Sequence, residues 1–311
     1  MSGVFHEGEL LVQGRAGVRE DAARLSGMLA AASLDGGLGR FLATRTFAGM
    51  AARDRDGRLW ISPLVGAPGF LEGAGRRLRV HAGVAEVDPL YGLPAGQPVG
   101  LIAVDFEKRR RVRINGTLVV AGVDGFEVDA DQTYGNCPQY IQQRHLDDPA
   151  DGSPGGKAHA RWSTTLTDAH RETLRRADTM FVGTIHPERG ADASHRGGNP
   201  GFVRVEGDRI WWPDYPGNNM FNTLGNLAVD DTAALLVVDF ERGTTLHLSG
   251  HATLEWTRPG AAGDDGHTGR RVSFVPTAIV ETDGLPLHAS GGVHPSPVNP
   301  PVSSIPGPRG Y

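Results

Sequence analysis

Residues 100–107, GLIAVDFE, return 134 residues later as ALLVVDFE at 234–241. The correspondence continues in order on both sides. SPLVGAPGFL at 62–71 aligns with SHRGGNPGFV at 194–203, and VRING at 112–116 with LHLSG at 246–250. FLAT at 41–44 is matched with FVGT at 181–184, so the offsets are 140, 132 and 134 residues. A period this long is far beyond that of a solenoid and describes one domain present twice in tandem. Two copies fused in one chain pack as the subunits of a homodimer do, leaving a cleft along a pseudo-twofold interface where ligands are favoured.

The segments inside each copy read as strands. Residues 39–65 form two strands around a polar turn at Asp54–Arg58, and 98–122 form a second pair around Glu107–Arg110. The 44 glycines and 21 prolines among 311 residues favour short strands and turns over long helices. Two helices are expected. One spans 17–34, with Glu20 and Asp21 at its start, and the other spans 167–176, capped by Thr167 and Asp168. The chain divides into an N-terminal helical segment (1–35), a first copy (36–146), a Gly/Pro/Asp-rich linker (147–166), a second copy (167–285) and a Pro-rich tail (286–311) that either wraps the barrels or stays mobile.

A net charge of −5 argues against a nucleic-acid partner. The single cysteine, Cys137, excludes an intrachain disulfide, and the lack of an apolar N-terminal run points to the cytoplasm rather than a membrane. Lys108 and Lys157 are the only lysines, so a bound anion must be held by arginine, amides, hydroxyls and backbone N–H groups.

The polar residues are concentrated in the second copy. Ser194, His195, Arg196 and Gly197 lie on a strand, and Asn218 and Asn219 precede a short helix from Met220 that contains Asn222. A guanidinium fork, a hydroxyl and capped N–H groups suit a phosphate monoester. The same residues also read as an exposed loop and a backbone-serving turn. His195 lacks a partner at metal-ligand spacing, and Ser194 and His195 point to opposite faces of a strand, which argues against a nucleophilic triad. The first copy has Pro63 and Leu64 where the second has His195 and Arg196, so the expected site is asymmetric. Asn136, Cys137 and Gln139, in YGNCPQYIQQR, form a second cluster, read either as a buried turn or as part of the site.

The motifs DASHRGGNPGFVRV, WPDYPGNNMFNTLGNLAVD, LLVVDFERG and YGNCPQYIQQR resemble tandem bacterial members of the pyridoxamine 5'-phosphate oxidase-like, FMN-binding split-barrel family. The resemblance runs over nearly the whole chain. It implies a mainly β fold, with two six-stranded split barrels packed as an intrachain pseudo-dimer and FMN between them. Ser194, His195, Arg196, Gly197, Asn218, Asn219 and Asn222 would face the phosphate end, and Asn136, Cys137 and Gln139 the ring or substrate. The arginine- and lysine-rich phosphate grip of authentic pyridoxamine phosphate oxidases is not visible in the sequence. The implied activity is a flavoprotein oxidoreductase, with NAD(P)H, a separate reductase or ferredoxin, or O2 as redox partner to an unidentified small molecule. The alternatives are a flavin carrier or sensor, a scaffold, and a barrel using haem or the deazaflavin F420. A further homodimer is compatible with each of these.

Overall fold

The computed structural model describes residues 4–29, 32–149 and 158–303, without the side chains of Met28 and Asn136. The N-terminal region forms α1 (Glu7–Ala16), α2 (Arg19–Arg24) and α3 (Gly36–Ala43). The first sheet follows as β1 (Phe47–Arg53), β2 (Leu59–Val65), β3 (Leu71–Ala74), β4 (Arg77–Val80), β5 (Pro98–Asp105), β6 (Arg110–Ala121) and β7 (Phe126–Asn136). The connection carries β8 (Gln143–Leu146), β9 (His159–Ser163) and α4 (Asp168–Arg176). The second sheet comprises β10 (Thr179–His186), β11 (Gly190–Gly197), β12 (Arg204–Glu206), β13 (Arg209–Pro213), then, after α5 (Asn222–Leu227), β14 (Thr232–Asp239), β15 (Thr244–Trp256) and β16 (Arg270–Asp283). The tail adds β17 (Ala289–His294).

Both large sheets are antiparallel and share one strand order. The first runs β2-β1-β5-β6-β7-β4-β3 and the second β11-β10-β14-β15-β16-β13-β12, with β9 added on β16. Each is therefore built on seven strands rather than the six expected.

Register corrects one of the sequence matches. Met50 pairs with Ser62 on β1 and β2, and Val182 with Ser194 on β10 and β11, an offset of 132 for both strands. FLAT at 41–44 begins on α3, whereas FVGT lies on β10, so those two segments are not counterparts. The counterpart of α3 is α4, and the apolar spacing of a short amphipathic helix was mistaken for strand.

Three further expectations change. The helix expected over 17–34 is reduced to the six residues of α2 and a 3-10 turn at Ser26–Met28, and a helix not expected, α1, precedes it and is ended by Gly17 in a left-handed conformation (φ 71°). Residues 30 and 31 lie outside the described part. The expected linker, 147–166, supplies β9, which pairs with β16 from Ser163 opposite Ile279 to His159 opposite Asp283; residues 150–157 lie outside the described part. In the tail, β17 pairs with β8, and 304–311 lie outside the described part. Alternation in these short, half-exposed strands is too weak to stand out from Gly- and Pro-rich surroundings.

Each sheet encloses its own apolar core, and a third core joins them. Met50, Leu64 and Leu101 face the first core, while Met180, Val182 and Leu235 face the second. The alternate residues Phe47, Ile61, Ile102, Phe181, Leu236 and Phe240 meet between the sheets. β1 and β10 are therefore buried on both faces, which is why FAGMAA and TMFVGTI read as continuous small and apolar runs. The approach is close enough that a Cβ on Gly100 would lie 2.7 Å from the Ala193 nitrogen.

Candidate functional site

Beside this shared core, β6 of the first sheet runs against β11 of the second, and α5 lies over the junction. The result is an open cleft with about 820 Å³ of empty space, its mouth included.

Arg111 and Arg113 project into the cleft from the same face of β6, two residues apart. Opposite them, β11 contributes His195, Arg196 and Gly197. Arg113 is paired with Asp192 at 2.9 Å, and Arg196 donates to the His195 carbonyl at 3.2 Å. Arg111 Nη1 approaches His195 Nδ1 at 2.8 Å. A guanidinium only donates, so Nδ1 accepts and the imidazole proton sits on Nε2.

Burial and the surrounding arginines, Arg111 foremost among them, hold His195 neutral, well below its ordinary value. Burial, then Arg113 and Arg196, lower Arg111 to about 9. Arg196 is lowered by burial as well. Three guanidiniums thus share a site with one directly paired carboxylate, an arrangement that an added anion stabilises. His195 Nε2, Arg111 Nε, Trp212 Nε1 and the Tyr215 hydroxyl all belong to residues lining this cleft, are buried and have no hydrogen-bond partner among the described residues. Their convergence fits a polyanionic or highly polar ligand.

The far wall is aromatic. Tyr140, in a left-handed conformation (φ 64°), lies 5.1 Å from Tyr215 between ring centroids and donates its hydroxyl to the Pro216 carbonyl at 2.9 Å. The tail secures this turn. Tyr140 N donates to Ser296 Oγ, Ser296 N donates to Gln142 Oε1, and Arg109 donates to the carbonyls of His294 and Pro295.

Of the residues singled out in the sequence, His195, Arg196, Gly197, Asn218, Asn219, Asn222, Cys137 and Gln139 line this one cleft. Ser194 does not. It is buried on the opposite face, its hydroxyl donating to the Val182 carbonyl at 3.4 Å, as strand alternation requires. Asn136 ends β7 opposite Arg111, and its side chain lies outside the described residues. The expected asparagine cap is also corrected. α5 starts at Asn222, the N-cap position is Phe221 without a side-chain bond, and Asn218 accepts from Met220 N inside the preceding turn.

Arg111 and Arg113 are the site residues that the sequence does not single out, and they supply an arginine-rich lining not visible in it. They belong to the first copy, in RRRVR, which reads locally as an exposed basic strand start. The counterpart cleft explains the asymmetry. At the matching positions stand Thr245 and His247, and Pro63 and Leu64 replace His195 and Arg196. There Thr245 bonds His247 at 2.8 Å, His247 Nδ1 meets the Ile61 carbonyl at 3.1 Å, and Ser62 donates to Asp88 at 2.6 Å. That side is buried and satisfied within itself.

Residues 166–263 match the family described as pyridoxamine 5'-phosphate oxidase. The second sheet thus carries a pyridoxamine 5'-phosphate oxidase-like domain. No curated protein matches. Similar solved structures include an F420 reductase (14% identity, TM-score 0.29, covering 37% of this chain and 98% of its own). A putative pyridoxamine 5'-phosphate oxidase from Lactobacillus delbrueckii is 11% identical (TM-score 0.31, 38% and 94%). The FAD binding protein from Mycobacterium smegmatis is 14% identical (TM-score 0.27, 39% and 98%). No helix among the described residues is long and apolar enough to cross a membrane.

Proposed function

We propose that the chain is a tandem duplication of this domain that binds one FMN in the cleft between β6 and β11, and works as an oxidoreductase. The observation that carries the reading is the group of three guanidiniums, Arg111, Arg113 and Arg196, with unpartnered buried donors around them. Arg111 and Arg196 hold the phosphate as charge-assisted donors, and His195 Nε2–H adds a neutral donor. Tyr140, Tyr215 and Trp212 supply flat surfaces for the remainder of the molecule, with Cys137 and Gln139 on the open side. Bound FMN supplies hydride and single-electron chemistry. The chain's own residues anchor it, keep one face open for a small substrate, and exclude water from the buried arginine end. The electron donor is a reduced nicotinamide or a separate reductase or ferredoxin, with O2 as the alternative redox partner.

The test is titration of purified protein with FMN, read by quenching of flavin fluorescence, followed by anaerobic addition of NADH or NADPH and recording of the flavin absorbance. Saturation at one FMN per chain is expected. Two per chain, or none, overturns the asymmetric site. F420 binding in place of FMN would keep the cleft and change the cofactor.

A further inference from the structure

Behind the arginines the groove continues. Arg113, Tyr134, Thr223 and Asn115 all donate to the Asp192 carboxylate, at 2.9 to 3.4 Å, and this knot closes the cleft from behind. On its other side lies a second chamber, with about 1,310 Å³ of empty space including its mouth. Its floor continues the same two strands, β6 through Asn115 and Thr117 and β11 through Gly190 and Asp192. Its roof is the other end of α5, at Asn226, together with α1, which contributes His6 and Glu9.

The chemistry here is opposite in sign to that of the first cleft. Glu9, Asp131, Glu188 and Asp192 line the chamber, with Arg189 the one arginine among them. Glu9 is buried, accepting from His6 N at 2.9 Å and from Asn222 Nδ2 at 2.6 Å, with His6 Nε2 lying 3.6 Å from its Oε2. Burial pushes its carboxyl up to about 7. Among the described residues, two buried polar atoms in the lining have no hydrogen-bond partner, Asn115 Oδ1 and His6 Nε2. His6 Nδ1 accepts the Gly8 N–H, so Nε2 carries the proton and is a donor.

The same tautomer argument disposes of a metal. His6, Glu7 and His186 place ligand atoms within 4.8 Å of one another. His186 Nδ1, however, accepts the N–H groups of Glu188 and Arg189, so both histidines present a protonated Nε2 rather than a lone pair.

A buried carboxylate, an unpartnered carbonyl oxygen and an unpartnered N–H define the complement of an ammonium carried next to a hydroxyl. We propose that this chamber is a second ligand site, distinct from the phosphate cleft, which binds small amino alcohols. The ammonium sits between Glu9 and Asn115 Oδ1, and a hydroxyl oxygen accepts from His6 Nε2. The inference does not require FMN in the first cleft.

The experiment is ligand-observed NMR and calorimetry on the full chain with 2-amino-1,3-propanediol, with glycerol as the hydroxyl-only probe and inorganic phosphate as competitor. Saturable binding of the amino alcohol is expected, without competition from phosphate and with much weaker binding of glycerol. Asn115→Leu and Glu9→Gln should each weaken it by about tenfold or more, the loss of one hydrogen bond to a charged group. A single cooperative melting transition shows that a variant is folded, and Glu9→Gln, nearly isosteric, is the safer of the two. Absence of saturable binding, wild-type affinity in both folded variants, or displacement by phosphate overturns the proposal. An FMN titration of the same samples reports on the first cleft separately, so failure of one reading is distinguishable from failure of the other.

Discussion

The ring of Phe106 meets the ring of Phe240 edge-on, with centroids 5.5 Å apart and planes at 75°. The two residues occupy the same position in the repeat, so the pseudo-twofold axis passes between them. Arg144 lies over both rings, at 5.6 Å and 4.4 Å, and bonds Asp178. Phe240→Ala is expected to destabilise the fold by about 3–5 kcal/mol through the cavity it leaves. Phe106→Ala should do the same, with the double variant losing less than the sum because the partner ring is already gone. Thermal melting of the three variants checks this, and strict additivity would contradict the contact.

Arg111 and Arg196 are expected to dominate FMN affinity. Removing either to alanine should weaken binding by about 10- to 100-fold, the range for a hydrogen bond to a charged group. Arg196→Ala combined with Asn219→Ala should weaken it further, whereas Leu64→Ala at the matching first-copy position should leave it unchanged. Fluorescence titration measures all four.

Opposed titrations meet at the start of α1. Burial lowers His6 to about 4, so from there up to its unfolded value near 6.5 the folded state binds fewer protons than the unfolded one and stability rises with pH. Glu9 is raised to about 7, so between its unfolded value near 4.5 and 7 the folded state holds more protons and stability falls as pH rises. The two slopes offset each other in the native chain. Glu9→Gln leaves the His6 slope uncovered, so this variant should gain melting temperature from pH 4.5 to 6.5 relative to wild type. Melts across that range decide it, and parallel curves would refute the assignment.

Gly8 and Gly225 bring α1 and α5 into backbone contact. A Cβ on Gly225 would lie 2.7 Å from the Glu9 nitrogen, and one on Gly8 would lie 2.1 Å from the Gly225 carbonyl oxygen. Gly225→Ala should therefore cost about 1–3 kcal/mol. It should also raise hydrogen exchange across α1, read by mass spectrometry, while β14 and β15 stay protected.

Much of the architecture was legible because register propagates. GLIAVDFE and ALLVVDFE occupy equivalent central strands, β5 and β14, whose two buried faces demand apolar residues on both sides. His195, Arg196 and Asn219 stood out because their counterparts are apolar or unrelated. Arg111 and Arg113 did not, since their role depends on β11, about 80 residues away, and no local pattern records that approach. Ser194 misled because a hydroxyl beside His195 looks functional in a linear string, while the pleat turns it into the core. The helix α3 was lost because four apolar residues fit either period.

The contrast between Leu64 and Arg196 has a genetic consequence. In an assembly of identical subunits every substitution appears twice, so a change that fills one cleft fills the other. A gene encoding both halves escapes that constraint. Mutations at 63, 64, 245 and 247 can convert one groove into packing without touching the residues that keep its twin open. Selection can then tune one cleft, using side chains from both halves, while its pseudo-symmetric counterpart is free to serve packing alone.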